Sequence, residues 1–210
     1  MKSSRRRVLL KSEVRRQQLL DAATWVFARK GYRRAGISDI IARAGVARGT
    51  FYLHFTSKER ILLAVLDDFH DRIKRAFESL DAAAIEARPY GPRAVLEASF
   101  RSWLESFAAH RDATRVVLHE AHAIDSRFEP ALAELRQSAL MRFATRFRRF
   151  QEEGLAAPTI NPDLAAHVQL GVLDELLKSY VLAATEPDIN RLARDFADFE
   201  WNGIRPDRLD

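Results

Sequence analysis

The chain has 210 residues, 47% hydrophobic and 30% charged, a balance that suits a folded globular protein and excludes a disordered tail. It has no cysteine, which rules out a disulfide framework, a thiolate metal site and a cysteine nucleophile, and makes a reducing cytoplasm the expected address. The net charge of +5 is unevenly spread: residues 1–60 carry 15 Lys/Arg against 4 Asp/Glu, whereas residues 61–210 carry 19 against 25. A basic end of this kind suits a polyanion, because lined-up cations release the counterions condensed on phosphates.

Residues 1–13 read as a basic flexible arm. Its apolar stretch is only Val8, Leu9 and Leu10, too short for an export signal, and no run approaches the roughly 20 apolar residues of a membrane span. From there the hydrophobic period is helical throughout, with no alternating strand pattern, so the expected fold is all-α. A first helix, about 14–30, places Leu19, Ala22, Ala23, Val26 and Phe27 on one stripe and stops at Gly31. A second, about 37–44, turns Ile37, Ile40, Ile41 and Ala44 inward and ends at Gly45; a third, about 47–53, points Phe51 to the core and Arg48, Thr50 and Tyr52 elsewhere. Three short helices with a glycine turn before the last have the helix-turn-helix layout. A long fourth helix opens at Thr56 or Ser57, where Thr56 and Glu59 have capping-box spacing, and carries Ile61, Val65, Phe69, Ile73 and Phe77 at intervals of four. Beyond Pro89-Tyr90-Gly91-Pro92, helices are expected at about 93–109, 112–126, 130–153, 162–184 and 187–202. Pro130, Pro162 and Pro187 sit at helix starts, and Gly154 and Gly203 follow helix ends.

The segment from Leu19 to Leu62 resembles the DNA-binding domain of the TetR family of transcriptional regulators. The residues that carry the likeness are Ala23, Phe27, Gly31-Tyr32, Ile40, Ala44-Gly45-Val46, Gly49-Thr50-Phe51-Tyr52, His54-Phe55 and Lys58-Glu59. The resemblance implies a helix-turn-helix domain over 14–60 and a helical effector-binding and dimerisation domain over 61–205, joined by the fourth helix. It also implies a homodimer whose partners are double-stranded operator DNA and a small-molecule effector. Arg48 has the fork to read guanine and Thr50 can bond a base or touch a thymine methyl, while the resemblance puts Tyr52, His54 and Lys58 on backbone phosphates. Gly36, Ala47 and Ile41 depart from the family pattern, where Thr, Ser and Ala are usual. The first two leave no side-chain oxygen for helix capping or for phosphate, and Asp39 is left to serve the amides of the second helix.

In the larger half, Trp103, Phe107, Val117, Leu118, Phe143, Phe147, Leu173, Leu176, Leu177 and Tyr180 either line an apolar cavity between helices or fill the core. The ligand candidates are Trp103, Phe107, Phe147 and Tyr180, with His119 or His122 as a polar anchor. His119 and His122 share a helix face, and His167, Asp174 or Glu175 could complete a metal site with them. The pair lacks the two-turn spacing of a zinc-protease helix, so neither metal nor cofactor is expected. Arg142, Arg146 and Arg149 fall near one face of their helix, which reads either as a solvated face or as the seat of an anionic effector such as an acyl carboxylate or thioester. Leu164, Val168, Gly171, Val172, Glu175 and Ser179 offer a face for a two-fold dimer.

Two other classes compete with a repressor released from a palindromic operator by a mainly apolar ligand. A helical enzyme would use His119 and His122 with a carboxylate, but no nucleophile elbow, phosphate loop or paired-carboxylate motif accompanies them. A basic membrane-surface protein would not need the spaced motif of residues 19–62.

Overall fold

A computed structural model describes the backbone at residues 2–120, 128–183 and 186–204, and side chains at 12–118, 128–183 and 186–204. All regular structure among the described residues is helical: α1 (Lys2–Lys30), α2 (Ile37–Ala44), α3 (Arg48–His54), α4 (Lys58–Ala87), α5 (Pro92–Ala108), α6 (Arg111–Arg115), α7 (Glu129–Glu152), α8 (Pro162–Leu176) and α9 (Ile189–Ile204). α6 passes into a π-helical turn, Val116–Glu120, and α8 into another, Leu177–Leu182.

The ends of these helices follow local chemistry, with some departures from expectation. Residues 2–13 continue α1 instead of forming a separate arm; the stretch has neither Gly nor Pro and consists largely of good helix formers. α4 is capped by Ser57, whose Oγ accepts from the Arg60 amide at 3.1 Å, so the Thr56–Glu59 capping box is not the one used. Asn161 caps α8 by accepting from the Asp163 and Leu164 amides, with Pro162 at the position that needs no N–H. Pro187 lies two residues ahead of α9, where Asp188 accepts from the Arg191 amide, and Gly203 falls inside α9 instead of ending it. Gly154, at φ 69°, does follow the end of α7. The helix expected over 112–126 is described as α6 and its π-helical turn, with 121–127 outside the described residues.

The chain forms two compact units, Met1–Phe69 with Asp112–Leu132, and His70–Arg111 with Ala133–Asp210. The first unit therefore extends past residue 60, because Ile61, Leu62 and Val65 of α4 are buried in the same core as Leu19, Ala23, Val26 and Phe27 of α1. Val116 and Phe128 belong to that core too, and the Phe128 ring meets Tyr32 edge-on at 5.2 Å. In the second unit Phe77 of α4 meets Phe143 of α7 at 4.8 Å, and α5 packs along α9, where Phe100 meets Phe196 at 4.1 Å and Arg93 bonds Asp198.

Between α2 and α3 the reversal depends on Gly45, which stands at φ 64° while its amide and that of Val46 return to the Ala42 and Ile41 carbonyls. A Cβ there would meet nothing within 4 Å, so the cost of a side chain is one of backbone conformation alone. Gly45→Ala should lower the unfolding free energy in urea by about 1–2 kcal/mol, and Gly45→Asn by less. Equal stability of all three forms would show that the left-handed turn carries no strain.

Candidate nucleic-acid surface and ligand cavities

α3 stands on two buried aromatic rings, Phe51 within it and Phe55 just after it, at 6.1 Å from each other. That support leaves the polar side chains of the helix outward. Arg48, its first residue, is exposed, with its guanidinium 5.9 Å from the Tyr52 ring centre. Tyr52 is 46% exposed, its ring edge-on to Phe51, so one side of it is packed and the other open. Thr50 and His54 are half-buried, and Leu53 is the most open apolar residue of the helix. Nearby, Arg29 and Arg43 lie over Trp25 at 4.3 and 4.5 Å, bringing two cations onto one indole.

Lys58 has a different setting from the one the resemblance implies. Its Nζ donates to the carbonyls of Tyr32 (2.9 Å) and Ala35 (2.8 Å) and lies 4.4 Å from the Tyr32 ring centre. Partial burial lowers its pKa from the ordinary lysine value. Two of its three N–H bonds are thus spent tying the start of α4 to the turn between α1 and α2. Asp39 meets the role expected of it, accepting from the Gly36 amide at 2.9 Å; the bonds from Lys30 and from that amide hold its carboxyl below the usual range.

Among the cavities of the second unit, two are neighbours that share lining residues. The outer one, about 340 Å³, is lined by apolar groups including Phe77, Ile85 and Leu155, and by Arg88, Arg142, Arg146 and Arg149, with Asp81 and Glu153 as the acidic members. The inner one is a slot of about 20 Å³ among Leu80, Leu96, Phe100, Trp103, Phe143, Phe147, Leu173 and the polar Ser99, Gln169 and Glu200. Arg146 and Phe150 line both.

Of the expected ligand residues, Trp103 and Phe147 come together at the inner slot. Phe107 backs Trp103 at 4.2 Å between ring centres without lining the slot. Tyr180 is 51% exposed and lines neither cavity. The side chain of His119 and the whole of His122 lie outside the described residues.

Two charged residues reach the interior: Arg146, whose helical spacing suits either a solvated face or an anionic ligand, and Glu200, which no motif marks. Arg146 is only 13% exposed, donating to Asp81 at 2.9 Å and Ser99 at 2.6 Å and lying over Phe150 at 4.8 Å. Burial draws its pKa down and Asp81 pushes it back up; the guanidinium stays charged. Glu200 is buried, and burial pushes its carboxyl up to about 7 against the attraction of Arg146. Its position was open to inference, because Ala193, Ala197 and Glu200 recur at the spacing of one helix stripe and the first two are plainly core residues.

The fold and these surfaces define a class: a helix-turn-helix protein whose second, all-helical unit encloses charged and apolar cavities. Residues 19–65 match the family model described as bacterial regulatory proteins, tetR family. Among characterised proteins, the chain is 29% identical over 175 residues to the HTH-type transcriptional regulator EthR of Mycolicibacterium smegmatis, covering 83% of this chain and 78% of that one. It is 28% identical over 195 residues to TtgR of Pseudomonas putida, covering 88% of each. Its fold matches the fatty acid degradation regulator FadR from Bacillus halodurans with a TM-score of 0.77 at 24% identity, over 91% of this chain and 97% of that one. It also matches FadR from Bacillus subtilis in complex with stearoyl-CoA, with a TM-score of 0.73 at 22% identity, over 90% and 99%. Residues 19–65 thus form a DNA-binding domain of the tetR family of bacterial regulatory proteins, and the chain is a DNA-binding transcriptional regulator.

The raised pKa of Glu200 has a consequence for stability. Its ordinary value is 4.5, so the folded chain holds this proton more tightly than the unfolded one, and the resulting stabilisation is complete below about pH 4.5 and lost as the pH rises to about 7. Glu200→Gln, which stays neutral, should therefore gain on the wild type by about 1–3 kcal/mol between pH 5 and pH 8. Urea unfolding of both proteins across that range checks this; a constant difference between them would mean that Glu200 titrates normally.

Proposed function

We propose that this regulator is a sequence-specific repressor that binds a palindromic operator as a homodimer and is released by a small, mainly apolar ligand held in its second unit. The observation that carries the DNA half is the exposed edge of α3, with Arg48 at its first position on a strongly basic unit and Phe51 and Phe55 holding the helix from below. Arg48 and Thr50 read base edges, while Tyr52 and His54 hold phosphates. Lys58 serves chiefly to fix the start of α4 and offers its remaining N–H to the backbone. Selection of bound duplexes from a random pool would yield the operator and its symmetry. On that operator Arg48→Ala should cost about 1–3 kcal/mol and relax preference at one base pair per half-site. A loss equal on all sequences would remove its base-reading role.

The dimer reading rests on the face expected for it: Leu164 and Val168 of α8 are 64% and 58% exposed, and Gly171, Glu175 and Ser179 are open beside them. Phe199 of α9 is 72% exposed. Apolar side chains so open are what a second copy would cover, and a two-fold pair of recognition helices suits a palindrome. The double variant Leu164→Glu, Val168→Glu should sediment as a monomer at micromolar concentration and lose operator binding; a wild type that is itself monomeric there would overturn this reading.

For the ligand, the outer cavity pairs an apolar lining with four arginines against two carboxylates, which favours an apolar body with an anionic end. The structural neighbour solved with stearoyl-CoA supports a ligand of that type. α4 contributes Lys58–Phe69 to one unit and His70–Ala87 to the other, so a ligand that prefers one setting of this helix would weaken operator binding by its differential affinity. Titrating stearoyl-CoA and free fatty acids against a labelled operator complex tests this, and a ligand that binds tightly without releasing DNA would remove the coupling.

A further inference from the structure

The inner slot contains two buried polar atoms without a partner, the indole Nε1 of Trp103 and Oε2 of Glu200. Both side chains line the slot. Buried polar groups left unpaired are rare and costly, so two of opposite character facing one small space call for an occupant. The indole N–H can only donate, and a bare carboxylate oxygen accepts. A hydroxyl answers both at once. An ether or an aliphatic tail cannot donate to Glu200, a second carboxylate would face Glu200 with like charge, and an ammonium cannot accept from Trp103 and would lie beside the buried Arg146.

The volumes agree with this chemistry. About 20 Å³ holds one oxygen and its hydrogen but no apolar body, whereas the outer cavity of about 340 Å³ falls within the size range of ligand pockets. Arg146 and Phe150 line both spaces and so form the partition between them. The arginines Arg88, Arg142 and Arg149 belong to the outer space alone.

We propose that Trp103 and Glu200 form a polar anchor for a hydroxyl group at the apolar end of the effector, whose body lies in the outer cavity and whose anionic end meets the arginines there. This deepens the reading of the second unit as the ligand domain and rests on it. The ligand class is a hydroxylated amphiphilic anion, of which an ω-hydroxy fatty acid is the simplest member.

The test is titration calorimetry of the full chain with ω-hydroxyoctanoate, ω-hydroxydecanoate and ω-hydroxydodecanoate, each against its unsubstituted parent. At the chain length that reaches the slot, the hydroxy acid should bind about tenfold more tightly than its parent, the scale expected when two buried groups keep their partners. Trp103→Phe keeps an aromatic ring and removes the N–H, and should bring that ratio close to one. Glu200→Gln retains an acceptor and should keep the preference, and Glu200→Met should lose it; should Glu200→Met not fold, Trp103→Phe decides the matter. Equal binding of hydroxy acid and parent at every length, a preference that survives Trp103→Phe, or binding by none of the six acids would each overturn the anchor. None of these results touches the broader reading, which stands or falls on whether stearoyl-CoA or another ligand releases the operator.

Discussion

Everything in this molecule depends on the burial of a single continuous stripe of α4. A helix cannot hide an apolar face by itself, and α4 carries such a face over nearly its full length. Ile61, Leu62, Val65, Leu66 and Phe69 are buried in the first unit, and Ile73, Ala76, Phe77, Leu80 and Ala84 in the second. In the first unit the stripe adds Ile61, Leu62 and Val65 to a core shared with residues of α1, α2 and α3. In the second it forms part of the wall of both neighbouring cavities, through Phe77 and Ala84 in one and Leu80 in the other. One element therefore has an energetic stake in both the unit that carries the helix-turn-helix and the unit that carries the cavities, a minimal physical requirement for coupling between them.

Against that apolar background the polar residues divide into two economies. On the first unit they are mostly open: Arg48, Tyr52 and the cations over Trp25 keep much of their hydration, so contact with phosphate or base edges has little desolvation to overcome. Lys58 is the exception, its ammonium partly buried and shared between two carbonyls at the turn after α1. It braces the start of α4 against the turn after α1, while Phe51 and Phe55 hold α3 on the core. Precision in placing a recognition helix comes from such supports more than from the reading residues themselves.

In the second unit the economy is reversed. Arg146 and Glu200 are held in the interior, with Asp81 and Ser99 satisfying part of the guanidinium and the rest of the cluster incompletely paired. A charged arginine and a carboxyl near its neutral form in such a place are poor contributors to stability, since replacing a buried polar group by an apolar one of similar shape is often neutral or better. Their worth lies in specificity. A mainly apolar slot with two unpaired polar atoms in its lining side chains would reject an occupant that lacks the matching group, because such a ligand leaves those atoms dry and unpaired.

How much of this could be read from the chain itself differs between its two ends. The helix-turn-helix was legible because it is built from local signals: the left-handed glycine at Gly45, the spacing of Ala23, Phe27, Ile40 and Phe51 into one core, and the run from Gly49 to Phe55 at fixed intervals. The all-α fold was legible for the same reason, since helical periodicity is a property of neighbours in sequence. Residue type alone marks Trp103, Phe147 and Tyr180 alike, yet the first two are buried and Tyr180, in the π-helical turn after α8, is open to solvent, because periodicity does not say which of two apolar faces turns inward. The burial of Arg146, the company of Glu200 and Ser99, and the commitment of Lys58 to backbone carbonyls were decided only by tertiary structure. Charge and desolvation depend on what stands across from a side chain, and residues 99, 146 and 200 lie on three different helices that only folding brings face to face.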